Sequence, residues 1–225
     1  PTDPTNVGVG MIGVERGHAI RIPRSETDNI IVGVTLAMRT TTRNSSNYTT
    51  ETYRTDSLSG LSWTMRASGS IPELISYGGL AYSPELQRVV YIGRSRDVWI
   101  TEVTNISGQL LTIGDTWQYY PDVLPNFNLS QYSSIVWCPT FQGGLFIATS
   151  LRTLGTQRFA SSPDGITWTP ITSSNYSDYD SPWCSEWCSG FGPNGMLVVG
   201  HSSPTSGSNP IPHTPIVVST DGVTM

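Results

Sequence analysis

Residues 175–187 bring together the side-chain types that proteins use to hold sugars. Aromatic rings stack on the apolar face of a pyranose ring, while short acidic and amide side chains hydrogen-bond its hydroxyl groups. This composition predicts a ligand-binding loop, whose candidate residues are Asn175, Tyr176, Tyr179 and Trp183. The competing interpretation buries Trp183 and Trp187 between sheets, because Trp187 aligns with Trp137 in an internal repeat.

Two aspartates of the same segment suggest a cation site. Asp178 and Asp180 lie two residues apart in an oxygen-rich stretch, which resembles part of a calcium loop and makes them candidate metal ligands. No glycine or terminal bidentate glutamate completes an EF-hand, so a solvated loop is the alternative. Cys184 and Cys188 lack the second ligand pair of a zinc site, and the three cysteines of the chain are expected to be buried thiols unless two of them pair.

Common catalytic motifs are not found in the sequence. The three histidines, His18, His201 and His213, have neither metal-ligand spacing nor a place in a nucleophile motif. The chain contains no nucleophile elbow, phosphate-binding loop or His-Glu-x-x-His pattern. We therefore expect that the protein is not an enzyme, with one alternative considered below.

Charge and hydropathy argue against two classes of partner. Charged residues make up 13% of the 225, the net charge is −5, and all 12 basic residues are arginines. Phosphate backbones require clustered positive charge, so we expect no nucleic-acid partner. Apolar runs such as Val89–Ile92 are far shorter than a membrane span, so we expect no membrane insertion. Since the chain starts without methionine or an apolar leader, we expect it to be part of a longer protein.

A seven-residue motif recurs along the chain. Residues 162–168 read Ser-Pro-Asp-Gly-Ile-Thr-Trp, and related forms occupy 57–63, 219–225 and, shortened, 114–117. The shared glycine falls at positions 60, 114, 165 and 222, so the copies are separated by 54, 51 and 57 residues. So regular a spacing indicates a repeat architecture.

The segments between the copies are predicted to be strands. No stretch keeps helical apolar spacing for three turns, and 22 glycines with 16 prolines indicate many turns. Each period contains a strand, a turn, an apolar strand, a third strand that leads into the motif and a fourth that leaves from its tryptophan. Four antiparallel strands per period of about fifty residues predict an all-β chain forming the blades of a β-propeller. We expect a single domain over 1–225, with repeats at roughly 6–60, 61–114, 115–165 and 166–225.

The motif itself has the chemistry of a tight turn. A short polar side chain before glycine hydrogen-bonds the turn backbone, and glycine takes a positive φ that other residues avoid. The tryptophan then begins the next strand and offers an apolar face for packing between blades. Seven residues are predicted to have this structural role: Ser162, Asp164, Gly165, Trp168, Ser219, Asp221 and Gly222.

Residues 162–168 resemble the Asp box, or BNR repeat, of sialidase-like propellers, a marker shared by enzymes, lectins and adhesins. Sialidases also carry an Arg-Ile-Pro motif near the start, as in Arg21-Ile22-Pro23. The resemblance implies a sialidase as the alternative function, with three arginines clamping the substrate carboxylate, an aspartate acid/base and a Tyr–Glu nucleophile. This chain departs from the sialidase pattern in its later repeats. No arginine follows Arg158, and Glu186 is the single glutamate after Glu102.

Ring closure has two interpretations. The last copy stops at Met225, so a strand over Val7–Val14 could supply the missing outer strand of a four-period ring. Alternatively, residues outside this sequence, irregular blades or another subunit complete the ring. The earliest repeat has Ile30–Thr35 as its apolar strand, and residues 40–52 and 202–214 are predicted to be polar loops.

In general character the chain resembles the propeller-tipped receptor-binding spikes and tail adhesins of bacteriophages. The likeness lies in its Ser-, Thr- and Gly-rich all-β composition and its lack of a targeting signal. It implies a virion-surface or other extracellular location, a host cell-surface receptor or glycan as ligand, structural calcium, and other virion subunits as partners through a further domain. A purely structural, protein-docking propeller is the third interpretation.

Overall fold

The structure is a computed structural model. It describes residues 14–22, 34–44, 47–55, 64–68, 79–93, 96–103, 105–106, 109–110, 116–125, 132–150, 157–172, 186–191, 197–202 and 216–219. Every regular element within these ranges is a β-strand, which confirms the all-β prediction.

The strands form four main sheets. The first contains β1 (Val14–Ile22), β2 (Val34–Asn44), β3 (Asn47–Thr55) and β4 (Thr64–Ser68). The second contains β5 (Gly79–Ser83), β6 (Arg88–Ile92), β7 (Val98–Glu102) and, after a separate hairpin of β8 (Asn105–Ile106) and β9 (Gln109–Leu110), β10 (Gln118–Tyr120). The third contains β11 (Tyr132–Cys138), β12 (Leu145–Ser150), β13 (Gln157–Ser162) and β14 (Thr169–Thr172). The fourth has three described strands: β15 (Glu186–Phe191), β16 (Leu197–Ser202) and β17 (Ile216–Ser219).

Each sheet is an antiparallel meander, because strand order in space follows strand order in the chain. Four strands per period are confirmed for the first three sheets. The repeated motif lies between the third and fourth strands of each of the first three sheets: 57–63 falls between β3 and β4, 114–117 precedes β10, and 162–168 joins β13 to β14. The last copy begins at Ser219, the final residue of β17, and its other residues lie outside the described ranges.

The first sheet corrects one prediction and extends another. Of the apolar strand expected over Ile30–Thr35, Val34 and Thr35 belong to β2, which continues to Asn44, and residues 30–33 lie outside the described residues. Residues 40–52 were expected to be a loop, yet 40–44 belong to β2 and 47–52 to β3, with Thr42 opposite Tyr48 and Asn44 opposite Asn47. The polar composition of this segment indicated a loop, but threonine is β-branched and is favoured in strands as well as being common in exposed loops. A strand that is polar on both faces shows no hydrophobic alternation to reveal it.

The N-terminal strand also differs from the expectation. Val14 opens β1, which pairs with β2 from Val14 opposite Thr41 to Ile22 opposite Val34. The remainder of the predicted closing strand, residues 7–13, lies outside the described residues. Both interpretations of ring closure therefore stay predictions.

The β6 strand of the second sheet is buried on both faces. Val89, Val90, Tyr91 and Ile92 of β6 are consecutive and each is 0% exposed. Successive side chains of a strand point to opposite faces, so neither face of β6 reaches solvent. One face carries the cross-strand row Leu80, Tyr91, Trp99 and Tyr119, and the other carries Ala81, Val90 and Ile100.

The neighbouring sheets cover these two faces. On the first-sheet side, Trp117 Nε1 donates to Thr52 Oγ1 of β3 at 3.1 Å. On the third-sheet side, Val90 and Ile100 share a core cluster with Phe146 and Ala160. Furthermore, β1 contacts β5, β5 contacts β11, and β11 contacts β15, so the first strands of successive sheets lie side by side.

The third strands of the second and third sheets end on the same side of the molecule. Arg88, at the start of β6, donates from its guanidinium to the backbone oxygen of Asp164 at 2.9 Å and pairs with Glu102 at 3.2 Å. Since Glu102 ends β7 and Asp164 lies just after β13, the third strands of both sheets end at the same side. The other ends of these strands lie on the side away from the motif turns.

Candidate functional site

The predicted binding loop starts after β14 and ends before β15, and thus connects the third sheet to the fourth. Asn175, Tyr176, Tyr179 and Trp183 lie outside the described residues, as do the predicted metal ligands Asp178 and Asp180. Trp187 belongs to β15 and pairs with His201 of β16 in the backbone register. The roles assigned to these side chains remain predictions.

The turn over residues 162–168 is held by a closed set of hydrogen bonds. Asp164 Oδ1 accepts from the backbone N–H groups of Ile166 and Thr167, each at 2.7 Å, and Oδ2 accepts from the Thr167 hydroxyl at 3.1 Å. Ser162 Oγ accepts from Gly165 N at 2.8 Å and donates to Asp164 Oδ1 at 3.0 Å. Trp168 Nε1 donates to the Gly165 carbonyl at 3.0 Å. The polar side-chain atoms of this motif are thus all bonded within the turn.

Hydrogen bonding decides the acidity of Asp164. Burial by itself would raise its pKa, but the N–H groups of Thr167 and Ile166 and the hydroxyls of Ser162 and Thr167 outweigh burial and hold the pKa below its ordinary value. Donors stabilise the charged carboxylate, so the side chain keeps its charge in the folded turn. The Asp164 carboxylate is therefore a charged group with a structural role, held in place by hydrogen bonds within the turn.

A second polar group lies at the outer strand of the second sheet, at the end away from the motif turns. Tyr119 of β10 donates its hydroxyl to Asp97 Oδ2 at 3.0 Å, and Asp97 Oδ1 accepts from the Asp122 backbone N–H at 2.8 Å. Arg96 forms an ion pair with the Asp122 carboxylate. We call these four residues, Arg96, Asp97, Tyr119 and Asp122, the Tyr119 cluster.

The Tyr119 ring rests on a buried aromatic support. Its centroid lies 5.4 Å from that of Trp99, with the planes inclined at 31°, and Trp99 in turn lies 5.6 Å from Tyr91. Trp99 is only 1% exposed, whereas Tyr119 is 54% exposed. Of the large hydrophobic side chains that the structure describes, Tyr119 is the exposed one. Tyr119 is thus the solvent-exposed last member of the cross-strand row that begins at Leu80.

Sequence reasoning missed the Tyr119 cluster. Its bonded pairs are separated by 22 to 26 residues and meet only through the pairing of β7 with β10. The available signal was the Tyr119-Tyr120 pair after the Gly-Asp-Thr-Trp motif, which places one aromatic side chain on each face of the fourth strand.

Other candidate chemistry in the described ranges is sparse. No group of three or more His, Cys, Asp or Glu there is arranged to hold a metal ion, and no helix there is long and apolar enough to cross a membrane. Cys138 is a fully buried free thiol whose pKa burial raises to about 12, so it stays protonated. Arg21 and Ile22 are the last residues of β1, immediately before Pro23.

No protein-family model matches the chain, and no curated protein matches it.

Proposed function

We propose that this chain is an Asp-box β-propeller that serves as a recognition domain for a host cell-surface glycan, in the manner of a phage receptor-binding spike or adhesin. The proposal has two parts, a radial arrangement of sheets and a binding surface at one end of them. Different observations support each part.

The radial arrangement is supported most strongly by the complete burial of Val89–Ile92. In a sandwich each antiparallel sheet has one face in the core and one toward solvent, which gives alternating burial along a strand. A sheet covered on both faces by the preceding and following sheets is typical of a propeller blade. Contacts between successive first strands, β1 with β5, β5 with β11 and β11 with β15, fit inner strands arranged around an axis.

The binding surface is inferred from what the two ends of the sheets carry. At the motif end, the polar side-chain atoms of residues 162–168 are bonded within the turn, which supports a structural role for them. The opposite end carries the Tyr119 cluster, and from β14 the chain leaves that end into the predicted sugar-binding loop. Function on a propeller scaffold is expected in such connecting segments.

A glycan array with the intact chain tests the proposed function. We expect saturable binding to a restricted set of glycans without hydrolysis of any of them. The array is run with and without calcium, because Asp178 and Asp180 are predicted calcium ligands. Absence of binding to every glycan, together with specific capture of a protein partner, would favour the docking propeller instead. Turnover of a fluorogenic sialoside that Arg21→Ala abolishes would establish the sialidase alternative.

A further inference from the structure

The Tyr119 cluster has the form of a preorganised aromatic platform. Three contacts hold the Tyr119 ring in place: the hydroxyl bond to Asp97, the backbone pairing with Trp99, and the ring contact with the same tryptophan. An aromatic side chain that is both fixed and exposed offers a flat apolar face with little conformational entropy left to lose on binding. Tyr119 therefore has the physical properties of a stacking residue.

Polar groups at the rim of this platform are also fixed. Asp122 adopts a φ of 57°, which is uncommon for a residue with a side chain, and its N–H is bound to Asp97. The Arg96 backbone oxygen accepts from Leu124 N at 3.0 Å, so the loop before β7 is tied to the segment after β10. The Asp122 side chain belongs to the same cluster as the ring and is 73% exposed, so its carboxylate can accept hydrogen bonds from a ligand while it is paired with Arg96.

The charge of the cluster selects among sugars. Arg96 contributes +1 while Asp97 and Asp122 contribute −1 each, which leaves +1 − 2 = −1 for the cluster. The Arg96 guanidinium is paired with Asp122, so its positive charge offsets one of the two carboxylates. A carboxylate-bearing sugar would meet net repulsion, whereas hydroxyl groups can donate to the exposed Asp122 carboxylate.

We infer that Tyr119 is the stacking residue of a subsite for a neutral pyranose, with Asp122 accepting hydrogen bonds from its hydroxyl groups. This inference rests on the proposed glycan recognition and narrows it to a location and a ligand class. Acidic sugars such as sialosides are disfavoured at this subsite.

The test is a binding titration, by ligand-observed NMR, of neutral methyl hexopyranosides and of the neutral glycans retained on the array, with sialyllactose as the acidic comparison. Tyr119→Ala is expected to weaken neutral-sugar binding about fivefold to tenfold, the factor that corresponds to losing one aromatic contact. Tyr119→Phe keeps the ring and is expected to stay within about threefold of the parent, as loss of a single hydrogen bond allows. Asp122→Gly removes the carboxylate without straining a positive φ and is expected to weaken binding as well.

Gln118→Ala is the matched control. Gln118 lies on the same short strand, is exposed, and belongs to the opposite face, where it accepts from the Tyr120 hydroxyl at 2.9 Å. Its substitution is expected to leave sugar binding unchanged, and thermal melting verifies that each variant folds.

The possible results separate the two proposals. If the chain binds neutral glycans and Tyr119→Ala binds them as well as the parent does, the subsite is overturned while glycan recognition stands. If Tyr119→Ala weakens sialyllactose binding more than neutral-sugar binding, the assignment of ligand class is overturned. If the parent chain binds no glycan, the proposed function and the subsite are both rejected.

Discussion

Replacing Gly165 by alanine is expected to lower the free energy of unfolding by about 3 kcal/mol, from two separate penalties. Gly165 has a φ of +80°, a conformation that costs an L-residue about 1–2 kcal/mol. An added Cβ would also lie 2.7 Å from Val90 Cγ2, a buried atom of the preceding sheet. Denaturant unfolding of the variant and the parent measures the sum of both penalties.

Gly143→Ala separates the two penalties. Gly143 has a φ of +85°, but a Cβ there would have nothing within 4 Å. Its substitution is expected to cost about 1–2 kcal/mol, the backbone penalty alone. In addition, Val90→Ala should cost less in the Gly165→Ala background than in the parent, because the new methyl group occupies the vacated space. Equal costs at Gly165 and Gly143 would contradict the close contact between the motif turn and the second sheet.

Replacing Asp164 by alanine is expected to cost about 2 kcal/mol near neutral pH, because charge-assisted hydrogen bonds in a partly exposed turn are lost. The change removes the acceptor for Ile166 N, Thr167 N and the Thr167 hydroxyl. Asp164→Asn retains an amide oxygen in the same position and is expected to recover about half of the loss. Chemical denaturation of the three proteins measures these differences.

The stabilisation by Asp164 depends on pH with a definite sign. Hydrogen bonds lower its pKa in the folded chain, so the unfolded chain binds a proton at a higher pH than the folded one. The contribution is therefore complete above the unfolded pKa of about 4 and is lost as pH falls through the folded value. The stability gap between the parent and Asp164→Asn should narrow below about pH 4. A gap that stays constant through this range would contradict the assigned role of the carboxylate.

Strand positions in the second and third sheets follow from local sequence signals. Val89–Ile92 and Leu145–Ala148 are short apolar runs between turn residues, and β6 and β12 include them. The repeated motif likewise predicts the junction of the third and fourth strands, because Asp164 and Gly165 carry the turn chemistry in their own side chains. These features need no knowledge of distant contacts.

The Tyr119 cluster and the long first hairpin depend on information that no local pattern contains. Asp97 meets Tyr119 and Asp122 only after β10 returns to pair with β7, past the inserted β8–β9 hairpin. In the first sheet, the threonine-rich end of β2 pairs with an equally polar β3, so polarity indicated a loop where backbone pairing makes a strand. Tertiary pairing, rather than residue composition, determines both features.

Distances between spin labels test the central claim most directly, namely that successive sheets follow one another around an axis. Three doubly labelled proteins each carry spin labels at two of the positions Thr55, Glu102 and Thr167, which mark the motif ends of the first, second and third sheets, in a background without the three native cysteines. The second sheet separates the first from the third in this arrangement. Pulsed electron paramagnetic resonance should therefore find that the Thr55–Thr167 distance is clearly longer than both the Thr55–Glu102 and the Glu102–Thr167 distances. A Thr55–Thr167 distance as short as either of the others would place the first and third sheets against each other and contradict the radial arrangement.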